Sequence, residues 1–160
     1  MSKEGMIRAI FSTASPFVRC LAAFVVCSIS FSGWAETFEE IKEMAEQGDA
    51  VYQAKLGEMY AFGEGVLQDH KEAVKWLTKA AEQGVVEAQF ALSRMYNDGD
   101  GVIQDLVKAH VWFNFAGANG MAVGGEMRDS LTKDMTSDQI AEAQKMAREM
   151  VEANPKLMGE

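Results

Sequence analysis

Residues 45–80 of the sequence read AEQGDAVYQAKLGEMYAFGEGVLQDHKEAVKWLTKA, and residues 81–116 read AEQGVVEAQFALSRMYNDGDGVIQDLVKAHVWFNFA. Aligned without a gap, the two stretches are identical at 16 of 36 positions. Chance would give about two or three identities, so the sequence contains an internal repeat of 36 residues. Gly120 continues the register, which is lost beyond that residue.

Each unit of the repeat is predicted to fold as two helices. Apolar residues recur three and four positions apart over 50–62 and over 86–98, which is the spacing of a helix with one buried face. A Gly-x-Gly-Val sequence follows and predicts a turn, because glycine adopts backbone conformations that other residues resist. Asp69 and Asp105 are placed to cap the second helix of each unit, and Gly84 follows the end of the first of these.

Helices are also predicted on both sides of the repeat. Thr37 opens a leading helix, and Thr136 with Gln139 opens a trailing helix that Pro155 ends. In residues 36–160, no segment alternates polar and apolar residues for long enough to predict a strand. The predicted fold class is all-α, an α/α solenoid with one unit at about 45–80, a second at 81–116 and C-terminal capping helices at about 120–154.

The repeated apolar residues are explained by packing between stacked helices. One helix pair cannot bury such a face by itself, so stacking of the units is needed to build a continuous core. Gly124 and Gly125 stand where the repeat would place alanine and glutamine, and they predict a weak start to the next helix. The residues that we expect in the core are the alanines Ala73, Ala80, Ala109 and Ala116 and the larger Leu56, Tyr60, Trp76, Leu92, Tyr96 and Trp112.

The first unit carries the pattern Gly48-Asp49-Ala50-x-x-Gln53-x-x-Leu56-Gly57-x-x-Tyr60-x-x-Gly63-x-Gly65-Val66-x-x-Asp69-x-x-x-Ala73-x-x-Trp76-x-x-x-Ala80-Ala81-x-x-Gly84. This pattern resembles the Sel1-like repeat, a relative of the tetratricopeptide repeat, and the second unit departs from it at Ser93 and Gly117. The segment from Trp112 to Gln144 resembles the closing segment of bacterial Sel1-like proteins. The resemblance implies helix–loop–helix units in a right-handed superhelix, and an adaptor or scaffold that holds protein partners on its concave face.

Residues 1–35 are predicted to be a secretory signal peptide. Basic residues precede an uncharged run from Cys20 to Ala35 with an apolar centre, and small residues stand one and three positions before Glu36. The run of 16 residues is shorter than the roughly 20 that span a bilayer as a helix. Cleavage after Ala35 would release residues 36–160 into the periplasm or the medium without membrane insertion. A retained membrane anchor is the alternative.

Composition limits the classes of partner. The 160 residues have a formal net charge of −9, and residues 36–160 alone hold 12 basic and 23 acidic residues, a net charge of −11. Such a chain repels phosphate backbones and anionic lipids, so nucleic acid is not an expected partner. Both cysteines lie before residue 36, which excludes thiol chemistry from the predicted mature chain.

The candidate catalytic and metal sites in the sequence are incomplete. Ser130 and Lys133 form the Ser-x-x-Lys pattern of penicillin-recognising acyl enzymes, but the sequence has no Lys-Thr-Gly and is too short for that fold. The acidic loop 98–101 lacks the carboxylates that a calcium loop needs at its ends, and His70 and His110 have no ligand nearby at metal spacing. The sequence therefore predicts no enzyme, no cofactor and no metal.

The predicted function is a non-enzymatic protein-interaction adaptor of the bacterial cell envelope, and an envelope hydrolase or cell-wall-active enzyme is the alternative. In arrays of this kind the first helix of each unit lines the concave face. The acidic charge favours a protein or peptide partner with a basic surface, and self-association into a homodimer would also complete a short array. The candidate partner-binding residues are Lys55, Glu58, Phe62, Phe90 and Arg94, with the two phenylalanines as anchors; burial of these rings against the loops is the alternative.

Overall fold

A computed structural model describes residues 36–159, and all regular structure in that range is helical. The predicted signal peptide lies outside the described residues. The helices predicted over 50–62 and 86–98 are confirmed at those bounds. The elements are α1 (Phe38–Glu46), α2 (Ala50–Phe62), α3 (His70–Glu82), α4 (Val86–Asp98), α5 (Leu106–Ala118), α6 (Ala122–Leu131), a 3-10 turn (Thr132–Asp134), α7 (Ser137–Ala153) and a second 3-10 turn (Pro155–Met158).

The predicted capping residues hold the helix starts. Asp69 accepts hydrogen bonds from two backbone N–H groups in the first turn of α3, at 2.9 and 3.1 Å, and Asp105 accepts one from the first turn of α5 at 3.0 Å. At the start of α7, Thr136 Oγ1 accepts from the Gln139 N–H and Gln139 Oε1 accepts from the Thr136 N–H. This reciprocal pair is a capping box, and it satisfies two backbone donors that a helix start otherwise leaves unpaired.

The helices stack in chain order around two apolar clusters. Each α-helix packs against the next from α1 to α6, and α5 also packs against α7. The smaller cluster joins α1 to the first unit through Ile41, Leu56 and Trp76, and the larger contains Leu92 and Trp112. Both tryptophans and the expected leucines and alanines are buried, which confirms their predicted place in the core. The expected Tyr60 and Tyr96 are only partly buried and pack against the larger cluster.

A buried glutamine links each unit to the helix that precedes it. Gln53 Nε2 donates to the Ala45 carbonyl at 3.1 Å, and Gln89 Nε2 donates to the Ala81 carbonyl at 3.2 Å. Each glutamine oxygen in turn accepts a side-chain amide N–H from the residue that ends the second helix of the same unit, from Gln83 at 2.7 Å and from Asn119 at 2.9 Å. All of these positions recur at the 36-residue period, so the same joint is built twice.

The C-terminal segment closes the second joint. The Leu157 carbonyl accepts hydrogen bonds from Gln89 Nε2 at 2.9 Å and from Asn119 Nδ2 at 2.8 Å. Asn154 Nδ2 donates to the Glu82 carbonyl at 2.7 Å. A Cβ atom at Gly84, whose φ is +87°, would collide with the Lys156 carbonyl oxygen. Gly84 is therefore required both for its backbone conformation and for the close approach of this segment.

Gly124 and Gly125, which predict a weak helix start, lie inside a continuous helix. The helix α6 runs without interruption over Ala122–Leu131, and Gly124 is buried against Gly117 of α5. A Cβ at Gly124 would lie 2.9 Å from the Gly117 nitrogen, and a Cβ at Gly117 would lie 2.9 Å from the Gly125 nitrogen. The glycines lower helix propensity, but they let α5 and α6 pack in backbone contact.

Replacement of Gln89 by leucine tests the joint. We expect Gln89→Leu to lower the free energy of unfolding by about 2–4 kcal/mol, because it removes three buried hydrogen bonds, two from Gln89 to the Ala81 and Leu157 carbonyls and one from Asn119 to Gln89. Gln53→Leu is expected to lower the free energy of unfolding by about half as much, because Gln83 is exposed and its amide can form hydrogen bonds with water instead. Urea denaturation followed by circular dichroism measures both. A loss below about 1 kcal/mol for Gln89→Leu would contradict the assigned role.

Alanine substitutions at the two neighbouring glycines of α6 give a matched pair of variants that tests the packing of α5 against α6. We expect Gly124→Ala to destabilise the protein by about 1–3 kcal/mol, because its Cβ has no room against α5. Gly125→Ala places its Cβ where no described heavy atom lies within 4 Å, so the gain in helix propensity is expected to stabilise the protein by up to about 1 kcal/mol. The same urea experiment measures both. Changes of the same sign would refute the packing argument.

Candidate functional site

A groove of about 320 Å³ lies between α2 and α4, the first helices of the two units. The start of α3, the acidic loop after α4 and the N-cap residue of α6 complete its wall. The groove combines apolar surface with an excess of carboxylates. Its lining includes the apolar Ala61, Phe62, Leu77, Phe90, Ala91, Met95 and Met121, the carboxylates Glu58, Glu87, Asp98 and Asp100, and the cationic or titratable Arg94 and His70.

Four of the five partner-binding residues expected from the sequence line this groove. Glu58 and Phe62 enter from α2, and Phe90 and Arg94 enter from α4. The structure does not bring Lys55 into the groove: its side chain is exposed on α2 but is not part of the lining. The two helix faces that the repeat predicts as a binding surface thus meet in one concavity.

The two phenylalanines of the groove differ in their surroundings. Phe90 is half-buried and packs edge-to-face on Phe113, with ring centroids 5.7 Å apart. Phe62 is 69% exposed. Below them, Leu77 and Met95 are buried and form an apolar floor. Phe90 is therefore a fixed part of the wall, while Phe62 offers most of its ring to solvent.

The electrostatics of the groove favour a cation. Partial burial raises the pKa of Glu58 above its ordinary value, and the nearby carboxylates of Glu87 and Glu64 raise it further. Arg94 makes no ion pair with any residue from 36 to 159. A positive charge placed near Glu58 and Glu87 would relieve the repulsion between these carboxylates.

Three lining residues could not be assigned to the groove from the sequence. His70 begins α3, Leu77 belongs to the core face of the same helix, and Met121 lies beyond the second unit. The Nδ1 atom of His70 is buried without a hydrogen bond in the described structure. A Cβ at Gly101 would lie 2.8 Å from the His70 Cβ, so the glycine of the second loop lets that loop pack on His70. In the sequence, the repeated Gly-x-Gly turn is the feature that indicates this contact between the loop and His70.

The Ser-x-x-Lys pattern noted in the sequence lies outside the groove. Ser130 and Lys133 are exposed at the end of α6 and in the following turn, and no hydrogen bond joins them. Between residues 36 and 159 there is no group of three or more His, Cys, Asp or Glu side chains suited to a metal ion. No helix within that range has the length and apolar content to cross a bilayer.

A comparison with protein families identifies the repeat. The Sel1 repeat model matches twice, at residues 50–85 and 86–121. This chain is a Sel1-repeat protein. Both matches begin at the first helix of a unit and have the 36-residue length found in the sequence.

Solved structures agree with the assignment to the Sel1-repeat proteins. The chain is 32% identical to c5321, a protective antigen of uropathogenic Escherichia coli with an SLR fold, with a TM-score of 0.72 over 82% of this chain. It is 35% identical to a Sel1 repeat protein from Oxalobacter formigenes, with a TM-score of 0.57 over 58% of this chain. The matched regions span 30% and 27% of those two proteins. No curated protein matches the sequence.

The Sel1 repeat gives this protein a helical solenoid of a kind that generally serves protein–protein interaction and is typically non-enzymatic. The groove between α2 and α4 lies on the face that the first helices of successive units share. The groove is therefore the candidate interaction surface of this chain.

The raised pKa of Glu58 predicts a pH-dependent effect on stability. A carboxyl group with a raised pKa in the folded state stabilises that state when protonated, and this contribution is lost as the pH rises through the folded-state pKa. We expect Glu58→Gln to raise the melting temperature at pH 7 by about 1–2 °C, a small effect because Glu58 is only partly buried and solvent screens its charge. The gain should vanish below about pH 4, where Glu58 is protonated in the wild type.

Thermal denaturation followed by circular dichroism at pH 7 and at about pH 4 measures this difference. Glu142→Gln on α7 is the control, because it removes an exposed carboxylate that is not in the groove. An equal rise for the control variant would attribute the effect to net charge instead of the groove.

Proposed function

We propose that this Sel1-repeat protein is a non-enzymatic adaptor that binds a segment of a partner protein in the groove between α2 and α4. The segment we infer carries a lysine or arginine next to an apolar side chain. The observation that carries the proposal is the set of carboxylates, which includes Glu58 and Glu87, that lines the groove beside an apolar floor.

Charge complementarity supports a basic segment. Four carboxylates line the groove, against one arginine and one histidine. A lysine or arginine near Glu58 and Glu87 would form charge-assisted hydrogen bonds at a partly desolvated site, where they are stronger than on an open surface. Arg94 lies one helical turn from Phe90 on the same helix and would pair with a carboxylate of the partner, which gives the segment an orientation.

The apolar part of the groove supports an anchor side chain. Leu77 and Met95 form its floor, and Phe90 is held by its contact with Phe113. A rigid aromatic wall loses little conformational entropy when a partner packs against it. Phe62, which is largely exposed, would gain most buried area on binding and is the expected energetic centre on α2.

We also propose that the protein acts in the bacterial cell envelope. This part rests on the sequence of residues 1–35, in which a basic flank, an apolar centre and a small-x-small exit together indicate a secretory signal. Cleavage after Ala35 would place residues 36–160 in the periplasm or outside the cell.

Selection of peptides from a random library tests the proposed specificity. With the full chain as the target, we expect enriched peptides to contain a basic residue within one or two positions of a large apolar residue. A synthetic peptide from the enriched set should bind the Glu58→Gln/Glu87→Gln variant at least about tenfold more weakly, because both attracting charges are removed. Isothermal titration calorimetry measures the affinity.

The control for this experiment is Glu142→Gln/Glu149→Gln, which removes two exposed carboxylates of α7 that do not line the groove. This variant should bind the peptide within about twofold of the wild type. Enrichment of acidic peptides, or an equal loss of affinity in both double variants, would contradict the proposal. Circular dichroism confirms that each variant keeps its helical content.

A further inference from the structure

A second cavity, of about 410 Å³, lies between α5, α6 and α7 and shares no lining residue with the groove. Two of the three arginines present in residues 36–159, Arg128 and Arg148, line it. One carboxylate, that of Asp129, also lines it, so the charged side chains of the cavity sum to a single positive charge. In so acidic a chain, two arginines at one cavity require an explanation.

The hydrogen bonds of Arg128, which lines the cavity, leave some of its donors unused. Arg128 Nη1 donates to Asn114 Oδ1 at 2.9 Å, and Arg128 Nε and Nη2 donate to Asp129 Oδ1 at 2.9 and 2.6 Å. The Asn114 oxygen is therefore occupied, and its amide N–H groups have no partner among the described residues. Arg128 also keeps N–H groups beyond the three that it uses, since a guanidinium has five.

Three further side chains add donors at the same cavity. Arg148 and Gln144 on α7 make no side-chain hydrogen bond or ion pair within residues 36–159. His110 on α5 is only 7% exposed, and its Nδ1 atom is buried without a partner. In the tautomer that carries its proton on Nε2, the neutral ring would offer a donor at that atom.

Burial lowers the pKa of His110, and the positive charge of Arg128 lowers it further, against the opposing effect of Asp129. The ring is thus neutral at pH 7 and adds a hydrogen-bond donor without adding charge. Ile140, Ala143 and Ala147 of α7 supply the apolar part of the wall.

We propose that this cavity binds a carboxylate group carried on a small apolar body. The carboxylate is held by Arg148 and by the free N–H groups of Arg128, with Asn114 and His110 as further donors, and the apolar body rests on α7. The single surplus positive charge matches a monoanion, whereas the second negative charge of a phosphate would face Asp129 without compensation. The same chemistry is offered by the C-terminus of a protein chain and by a free carboxylic acid.

Calorimetric titration of the full chain at pH 7 tests the proposal, with N-acetyl-L-leucine as the probe and N-acetyl-L-leucinamide as its uncharged match. We expect the acid to bind with a dissociation constant of at most about 10 mM and the amide not to bind. Arg148→Gln should weaken binding of the acid at least about tenfold, because a charge-assisted pair is lost. Arg148 is exposed, so its replacement leaves the core intact.

Lys145→Gln is the matched control, since it removes a positive charge from the same helix at a side chain that pairs with Glu149 outside the cavity. It should change the affinity less than about twofold. Nuclear magnetic resonance adds a second readout: the side-chain amide signals of Asn114 and Gln144 should shift with the acid and not with the amide.

A second pair of probes distinguishes the sources of the carboxylate. Tighter binding of acetyl-Gly-Ala-Leu with a free C-terminus than of N-acetyl-L-leucine supports a chain terminus as the ligand, and the reverse order supports a free acid. The proposal would be overturned if the acid does not bind, or if the acid and the amide bind equally well. It would also be overturned if inorganic phosphate binds more tightly than the acid, or if Arg148→Gln and Lys145→Gln weaken binding equally. Because no groove residue is changed, this result is independent of peptide binding between α2 and α4.

Discussion

The buried glutamine joint is the constraint on which the stacking of this protein depends. Gln53 and Gln89 are almost completely removed from solvent, and an uncompensated amide at either position would oppose folding. Each is compensated by a backbone carbonyl eight residues earlier and by an amide thirty residues later. The glutamine lies on one helix, the carbonyl belongs to the helix before it, and the amide stands at the end of the helix after it. The hydrogen bonds of the glutamine therefore form only when these three helices have the correct register. Apolar packing supplies most of the stability, and the glutamine fixes one arrangement of it.

The helices and their caps could be predicted because their signals are local. A helix period, an aspartate before it and a glycine after it are all contained within about twenty residues. The role of Gln89 could not be predicted, although it was visible as a repeated residue, because one of its partners is the Leu157 carbonyl, 68 residues away. Gly124 is a second example. Its low helix propensity is a local signal, but the close contact with Gly117 that leaves no room for a side chain is visible only in the fold.

The same distinction applies to the candidate sites. Glu58 with Phe62 and Phe90 with Arg94 are pairs spaced by one helical turn, and the repeat period places their helices side by side, so most of the groove was predictable. The repeat does not define where the groove ends, which is why Lys55 could not be separated from the others. The residues of the second cavity are not related by the repeat period. Arg128 and Arg148 belong to helices beyond the repeat, and only the fold brings them to His110.

Within residues 36–159 the glutamine joint occurs twice, and the third position of the repeat shows why it does not recur there. The repeat period places a third glutamine at residue 125, where the sequence has glycine, and the neighbouring Gly124 packs against α5 in a contact that a larger side chain would prevent. In place of a third unit, the C-terminal segment brings the Leu157 carbonyl to both Gln89 and Asn119. The C-terminal segment therefore caps the solenoid through the same polar groups that join its units.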